Sequence, residues 1–330
     1  MIKNWLAAGA LALTAGMTAS TAAHAQATTI PGEQVGLAAG APLPEGVYAV
    51  DTFIYRRPDA PFGADTAINV PFVIWASPYK ILGARIEPLI AAPTVFAFTR
   101  NPAGTANRDI SINVGPLLAS VFAWDLGNGF GVSYLAGAHL NDALADRGSL
   151  VGAGGGTPVL PQLSSNTYRQ GFAASYTGDG YNLTANLTHN FYDSPGRFSG
   201  PVGRAIGPLV IADALLLDLT ATKKFGKFEI GAVGYGVTDL SLSGRDALRA
   251  ASQGYTKTGR FALGGLIGYD FGPFTAQLVV ARDVASRATY VTAGGRVREN
   301  DSTDGFFRIV APLYAAAAAA PPPAPLVRKY

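Results

Sequence analysis

Tyr181–Phe191 reads YNLTANLTHNF. One side of its two-residue period carries Tyr181, Leu183, Ala185, Leu187, His189 and Phe191. The other side carries Asn182, Thr184, Asn186, Thr188 and Asn190 without a break. A period of two is that of a β-strand, whose successive side chains point to opposite faces. This strand separates an apolar surrounding from one that accepts amides and hydroxyls. A half-buried strand of a soluble sheet alternates too, so the rest of the chain has to decide between them.

The chain has 330 residues, 48% hydrophobic and only 14% charged, against ~25% charged in ordinary soluble domains. Past the N-terminus, no stretch approaches the ~20 apolar residues of a membrane-spanning helix. Forty glycines and fourteen tyrosines lean towards β structure with tight turns. A net charge of +3 with scattered arginines argues against nucleic acid as a partner. There is no cysteine, which excludes disulfide stapling, lipid attachment through Cys, and Cys-based metal or redox sites. Lys3, the apolar run Trp5–Met17 and the small-x-small step Ala23-His24-Ala25 describe a signal peptide over residues 1–25, with the mature chain starting at Gln26.

Twelve strand-like runs follow: Gly46–Arg56, Ala67–Trp75, Ile81–Phe98, Ile110–Trp124, Phe130–Leu140, Asn166–Thr177, Tyr181–Tyr192, Ala214–Phe225, Phe228–Asp239, Gly259–Asp270, Phe274–Asp283 and Gly305–Tyr314. No helical periodicity of useful length interrupts them. The connections alternate. DLGNG, GDG, GK and FGP are tight turns. Between them lie the long links Asn141–Ser165, Asp193–Asp213, Leu240–Thr258 and Val284–Asp304. In an up-and-down sheet this sorts short turns to one end and long links to the other. That is the asymmetry of a transmembrane barrel of the outer membrane, with short periplasmic turns.

Aromatics flank the short turns on both sides: Trp124 and Phe130, Tyr176 and Tyr181, Phe225 and Phe228, Phe271 and Phe274. Trp75 and Tyr79 bracket a further turn at ASP. Such a ring belongs at the level of the lipid headgroups. The opening stretch is then explained: its apolar row faces lipid and its Asn/Thr row faces a wet lumen. Backbone groups are satisfied in lipid only if the strands close into a barrel. The fold class is all-β, a transmembrane antiparallel up-and-down β-barrel of about twelve strands. Its expected organisation is a signal peptide over 1–25, a periplasmic lead over 26–44, the barrel over 45–314 and a flexible Ala/Pro-rich tail over 315–330.

Alternation assigns a set of polar side chains to the lumen: Asp51, Arg85, Glu87, Asn113, Arg169, Asn182, Asn186, Asp218 and Glu229. They either select solutes by charge or fill a narrow lumen with ion pairs. Arg282 and Arg308 resist assignment. The arginines of the long links, among them Arg245, Arg287, Arg296 and Arg298, suit contact with anionic lipopolysaccharide or water.

Five segments resemble the SphA-type, meta-pathway phenol-degradation family of bacterial outer-membrane proteins: LPEGVYAVDTFIYRR, YKILGARIEPLIAAP, GPLLASVFAWDLGNGFGVS, NTYRQGFAASY and GFFRIVAPLY. Their order and spread cover most of the mature chain. The resemblance implies a transporter-like barrel in the bacterial outer membrane, linked to the breakdown of aromatic compounds, with no catalytic motif. Barrels of this kind usually end on an aromatic of the last strand, here Tyr314, yet sixteen further residues follow.

The expected function is passage of small organic solutes, aromatic or hydrophobic ones included, by diffusion. The alternatives are a non-conducting structural or adhesive barrel and an outer-membrane hydrolase. Hydrolysis needs a nucleophile, a base and an orienting group. The mature chain offers only His139 and His189, with Ser194 near the second. The reading therefore has no catalytic residue, no metal ligand and no cofactor. Its partners are outer-membrane lipid, lipopolysaccharide, the barrel-assembly machinery and a small organic solute.

Overall fold

The computed structural model describes residues 29–61, 63–100, 109–140, 149–151, 166–192, 212–252 and 256–315. The signal peptide and nearly all of the Ala/Pro tail lie outside them. So do Ser194 and most of the long link Asn141–Ser165.

Twelve antiparallel strands close into a barrel. They are β1 (Gly46–Pro58), β2 (Gly63–Ala76), β3 (Ala84–Ala91, continued by Thr94–Arg100), β4 (Asp109–Asn113, continued by Leu117–Gly127), β5 (Phe130–His139) and β6 (Thr167–Tyr176), followed by β7 (Tyr181–Tyr192), β8 (Ala214–Phe225), β9 (Phe228–Asp239), β10 (Gly259–Asp270), β11 (Thr275–Ser286) and β12 (Ser302–Ala315). Each pairs with its sequence neighbour. β12 returns to β1 with Gly46 opposite Ala315 and Pro58 opposite Ser302, which seals the ring. Closure removes the unpaired edges that lipid would not tolerate.

The short turns after β2, β4, β6, β8 and β10 lie at the end where β1 begins and β12 stops, while the β1–β2 link, residues 59–62, is also short but lies at the opposite end. The β4–β5 turn runs through Gly127, Asn128 and Gly129, all with φ between 53° and 81°. This left-handed backbone is the one that glycine and asparagine adopt most readily. At the opposite end, Gly244–Ser252 forms a short helix in a link expected to be irregular. The last link carries a small hairpin, Thr289–Val291 against Val297–Glu299.

Prolines explain where the wall is uneven. β3 is broken at Ala92-Pro93 and β4 at residues 114–116. Single backbone bonds bridge the breaks, from Ala92 N to Pro71 O at 3.0 Å and from Val114 N to Pro93 O at 2.9 Å. Proline has no N–H to give to a ladder, so continuous pairing stops at such positions.

The outside of the barrel is apolar. Phe53, Tyr55, Val73, Ile90, Phe172, Leu183, Leu187, Leu263, Ile267, Leu278 and Phe307 are all exposed there. The inside holds a mixed core. Ile54, Ile68, Val70, Leu117, Tyr235, Leu266 and Phe306 form one buried cluster with Ile30 and Val35, which precede the first strand. The lumen is therefore filled at this level, not wet as the sequence suggested.

Candidate functional site

The filling is the segment Thr29–Glu45. It was expected in the periplasm, but its described part runs through the barrel. Thr29 Oγ1 donates to Asn190 Oδ1 at 2.9 Å, near the long-link end of β7. Leu43 N donates to Glu87 Oε1 at 2.8 Å, near the short-turn end of β3. Between them the chain folds into successive tight turns, with Glu33 N bonded to Ile30 O, Val35 N to Gly32 O, Leu37 N to Gln34 O and Ala41 N to Ala38 O. These bonds span three residues each, so much of the polar backbone must still find partners on the wall.

The wall supplies them. Gly32 N donates to Asp218 Oδ1 at 2.9 Å and Gln34 N to Asp218 Oδ2 at 3.2 Å. Gly36 N donates to Thr220 Oγ1 at 2.8 Å, and Gly40 N to Ser175 Oγ at 2.9 Å. In return, Ser133 Oγ donates to Ala39 O at 2.7 Å, and Asn182 and Gln277 both donate to Gly36 O. Arg308, from β12, donates to the carbonyls of Val35 and Glu33. An acid and a base on well-separated strands thus hold the same few residues of the plug.

The plug comes this close because it carries a glycine every fourth residue. A Cβ on Gly40 would lie 2.6 Å from Ser175 N and 2.7 Å from the Ala174 carbonyl carbon. At Gly36, whose φ is +84°, it would lie 2.7 Å from Leu266 Cδ1. The spacing in GEQVGLAAG was the visible signal of a segment that lies against other backbone. It was missed because the residues it contacts are far away in sequence.

Seven of the nine lumen candidates lie on the inner wall. Arg85 sits at the short-turn mouth, 3.3 Å from Glu45. Glu87, Asn182 and Asp218 hold the plug as described. Arg169 pairs with Glu33 of the plug and is buried. Asn186 Nδ2 donates to Thr188 Oγ1, one step along the same buried row. Glu229 accepts from Thr222 Oγ1 at 2.6 Å and Gln277 Nε2 at 3.0 Å.

The other two do not point inward. Asp51 is exposed and shares its face with Phe53 and Tyr55, while Val50, Thr52 and Ile54 are buried. It lies near the middle of β1, where an outward Arg or Lys costs ~2–4 kcal/mol and an acid less. Asn113 is exposed and accepts a hydrogen bond from Thr94 Oγ1 at 2.9 Å. Thr94 adjoins Val95, which packs inside, so Thr94 and its register partner Asn113 face outward. The break after Asn113 shifts the phase of β4, which carried the simple alternation one residue too far.

Alternation also missed a buried knot nearer the long-link end. Arg56 Nε meets Asp304 Oδ1 at 3.0 Å, and Arg260 Nη2 meets Asp283 Oδ1 at 2.6 Å and Asp304 Oδ2 at 2.8 Å. Tyr235 Oη donates to Asp304 Oδ2 at 2.7 Å. The two ambiguous arginines separate: Arg308 is buried inside, whereas Arg282 lies outside, 2.6 Å from Asp59.

At the short-turn end, Trp75, Phe130, Tyr181, Phe225, Phe228 and Phe271 are exposed, and Trp124, Tyr176 and Phe274 are partly so. Rings meet in pairs there, Phe130 with Tyr176 at 4.8 Å and Phe271 with Phe274 at 4.9 Å. Trp124 Nε1 donates to Leu82 O at 3.0 Å, pinning one turn to the next. A concavity of about 720 Å³ beside Trp124, Tyr134, Phe172 and Leu187 belongs to this outer surface.

The histidines are held by ordinary partners. His139 Nδ1 lies 3.2 Å from Gly115 O, and His189 Nδ1 lies 3.2 Å from Gln170 Nε2. Among the described residues no serine hydroxyl bonds to either ring.

Residues 40–298 match the family described as Putative MetA-pathway of phenol degradation. The chain belongs to this family. No curated protein matches it. Among solved structures it is similar to the COG4313 outer membrane channel from Pseudomonas putida F1, at 12% identity and a TM-score of 0.56, covering 86% of this chain and 99% of that one. It also aligns with the CymD monoaromatic hydrocarbon channel at 10% identity and a TM-score of 0.37, covering 81% and 88%. The first likeness shows a shared fold. The closed barrel with its apolar exterior resides in the bacterial outer membrane.

Proposed function

We propose that this chain is an outer-membrane channel for small, weakly polar organic solutes, aromatic ones included, that the Thr29–Glu45 plug closes. The observation that carries it is the inner wall itself. Around the plug, Ile54, Ile68, Val70, Leu117 and Phe306 pack against Ile30 and Val35. A wall that offers this much apolar surface suits a solute that prefers it to water. The family's description, and the hydrocarbon channel among the aligned structures, support the same solute class. Histidines engaged with backbone and amide partners support transport rather than hydrolysis.

The exposed Arg245, Arg287, Arg296 and Arg298 at the long-link end support contact with anionic lipopolysaccharide. The exterior aromatics support seating in lipid after delivery by the barrel-assembly machinery. The filled lumen favours a second reading, a barrel that never conducts and serves a structural role.

Uptake separates the two. Small aromatics cross phospholipid unaided, so the assay needs cells with an intact lipopolysaccharide leaflet. Cells producing the chain are expected to accumulate the neutral fluorescent aromatic N-phenyl-1-naphthylamine faster than cells without it, with little change for a disaccharide. Equal rates for the aromatic would overturn the channel reading and leave the structural one.

A further inference from the structure

We propose that Glu33 occupies a carboxylate-binding site on the inner wall, and that a small aromatic carboxylate entering the barrel takes its place. This deepens the channel reading and rests on it. The site is a patch of β5, β6 and β7 towards their long-link ends. Arg169 and Asn190 are direct register partners, and His139 lies one inward step away, opposite Thr167. Side chains so placed on one face are ~4.5–8 Å apart at Cβ.

The patch is rich in unused polar atoms. Arg169 Nε, Asn190 Nδ2 and His139 Nε2 are buried and have no hydrogen-bond partner among the described residues. Buried polar atoms normally have partners, and three orphans in one patch are unusual. Two of them are N–H donors; with Nδ1–H donating to the Gly115 carbonyl, the neutral His139 ring leaves Nε2 as an acceptor. Only one oxygen of Glu33 serves the patch, through Arg169 Nη1. Its other oxygen, Oε2, accepts from Ile30 N at 3.3 Å within the plug. Glu33 therefore leaves donors unused that a free carboxylate, with two oxygens and about four acceptor positions, would engage.

The exchange needs the Glu33 side chain to leave Arg169 and the plug tip around Ile30 to move aside for the ring. The nearby acid, Asp218, remains bonded to Gly32 and Gln34, and Arg308 remains bonded to the Val35 carbonyl. The apolar cluster that includes Ile30 lies beside the patch and suits the ring of an aromatic acid. Losing the Glu33–Arg169 pair frees one tie at the tip of the plug, so ligand binding and loosening of the tip are linked.

The test uses the full mature chain in vesicles, with benzoate as the probe and benzamide as its neutral counterpart. The protein has no cysteine, so Ile30→Cys, at a buried plug position, supplies a single thiol that is labelled only when the tip moves. Benzoate at millimolar concentration is expected to speed labelling at least fivefold, and benzamide is not. Arg169→Gln should remove the benzoate effect. Glu33→Gln, a change on the plug that leaves the wall intact, should speed labelling without benzoate and lower the benzoate concentration that binds, measured calorimetrically. No benzoate response in the Ile30→Cys protein, an equal response to benzamide, or unchanged benzoate binding in Glu33→Gln would each overturn the proposal. None of these readouts requires flux, so they fail or succeed separately from the channel reading.

Discussion

At the scale of single residues, two acids have different tasks. Asp218 uses both carboxylate oxygens to hold plug N–H groups. Asp218→Asn turns one of those acceptors into a donor aimed at an N–H and removes a charge. Hydrogen bonds to charged groups are worth about 1.5–3 kcal/mol, and the loss falls on the closed state alone. Planar-bilayer recordings are expected to show longer open times with an intact barrel. Asp304 instead ties Arg56, Arg260 and Tyr235 to one another within the wall. Asp304→Asn leaves two buried guanidinium groups short of charge, a defect worth about 3–5 kcal/mol. Its expected signature is a lower temperature for loss of the compact gel band, with no specific change in gating. A reversed pattern between the two variants would contradict these assignments.

At the scale of elements, the plug depends on glycine where it lies on the wall. A valine at position 40 cannot fit 2.6 Å from the Ser175 nitrogen. Gly40→Val is therefore expected to weaken docking by about 1–3 kcal/mol, or roughly 5- to 150-fold in the ratio of closed to open. Faster hydrogen exchange across residues 29–44, with β6 still protected, would show it. How far the strands were legible depended on their rows. From Asn182 to Asn190 in β7 and from Leu216 to Thr222 in β8, one row is Asn, Thr, Asp or a lone Leu216, so the faces read directly. In β1 both rows mix charge with apolar residues: Val50, Thr52, Ile54 and Arg56 inside, Asp51, Phe53, Tyr55 and Arg57 outside. Nothing local in β1 distinguishes lipid from a packed lumen, which is why Asp51 was misplaced. In β4 the break at 114–116 reset the phase for Asn113. In β12, Phe306 faces in and Phe307 faces out, so Arg308 could not be assigned.

At the scale of the molecule, the barrel was legible because its rules are global. Alternating links, paired aromatics and period two all follow from a closed sheet in a bilayer. The plug was not legible because most of its partners are backbone atoms and side chains more than a hundred residues away, such as Asp218 and Arg308. The central claim is that this plug closes a channel and must move for a solute to pass. Thr29 and Asn190 meet at 2.9 Å, so Thr29→Cys with Asn190→Cys, joined by a short cleavable thiol cross-linker, fixes the plug tip to the wall. The most direct measurement is uptake of N-phenyl-1-naphthylamine by cells carrying this pair, before and after the linker is cleaved. The account predicts background uptake while linked and recovery to the rate of the unmodified chain on cleavage. Equal uptake in the linked and cleaved states would contradict it.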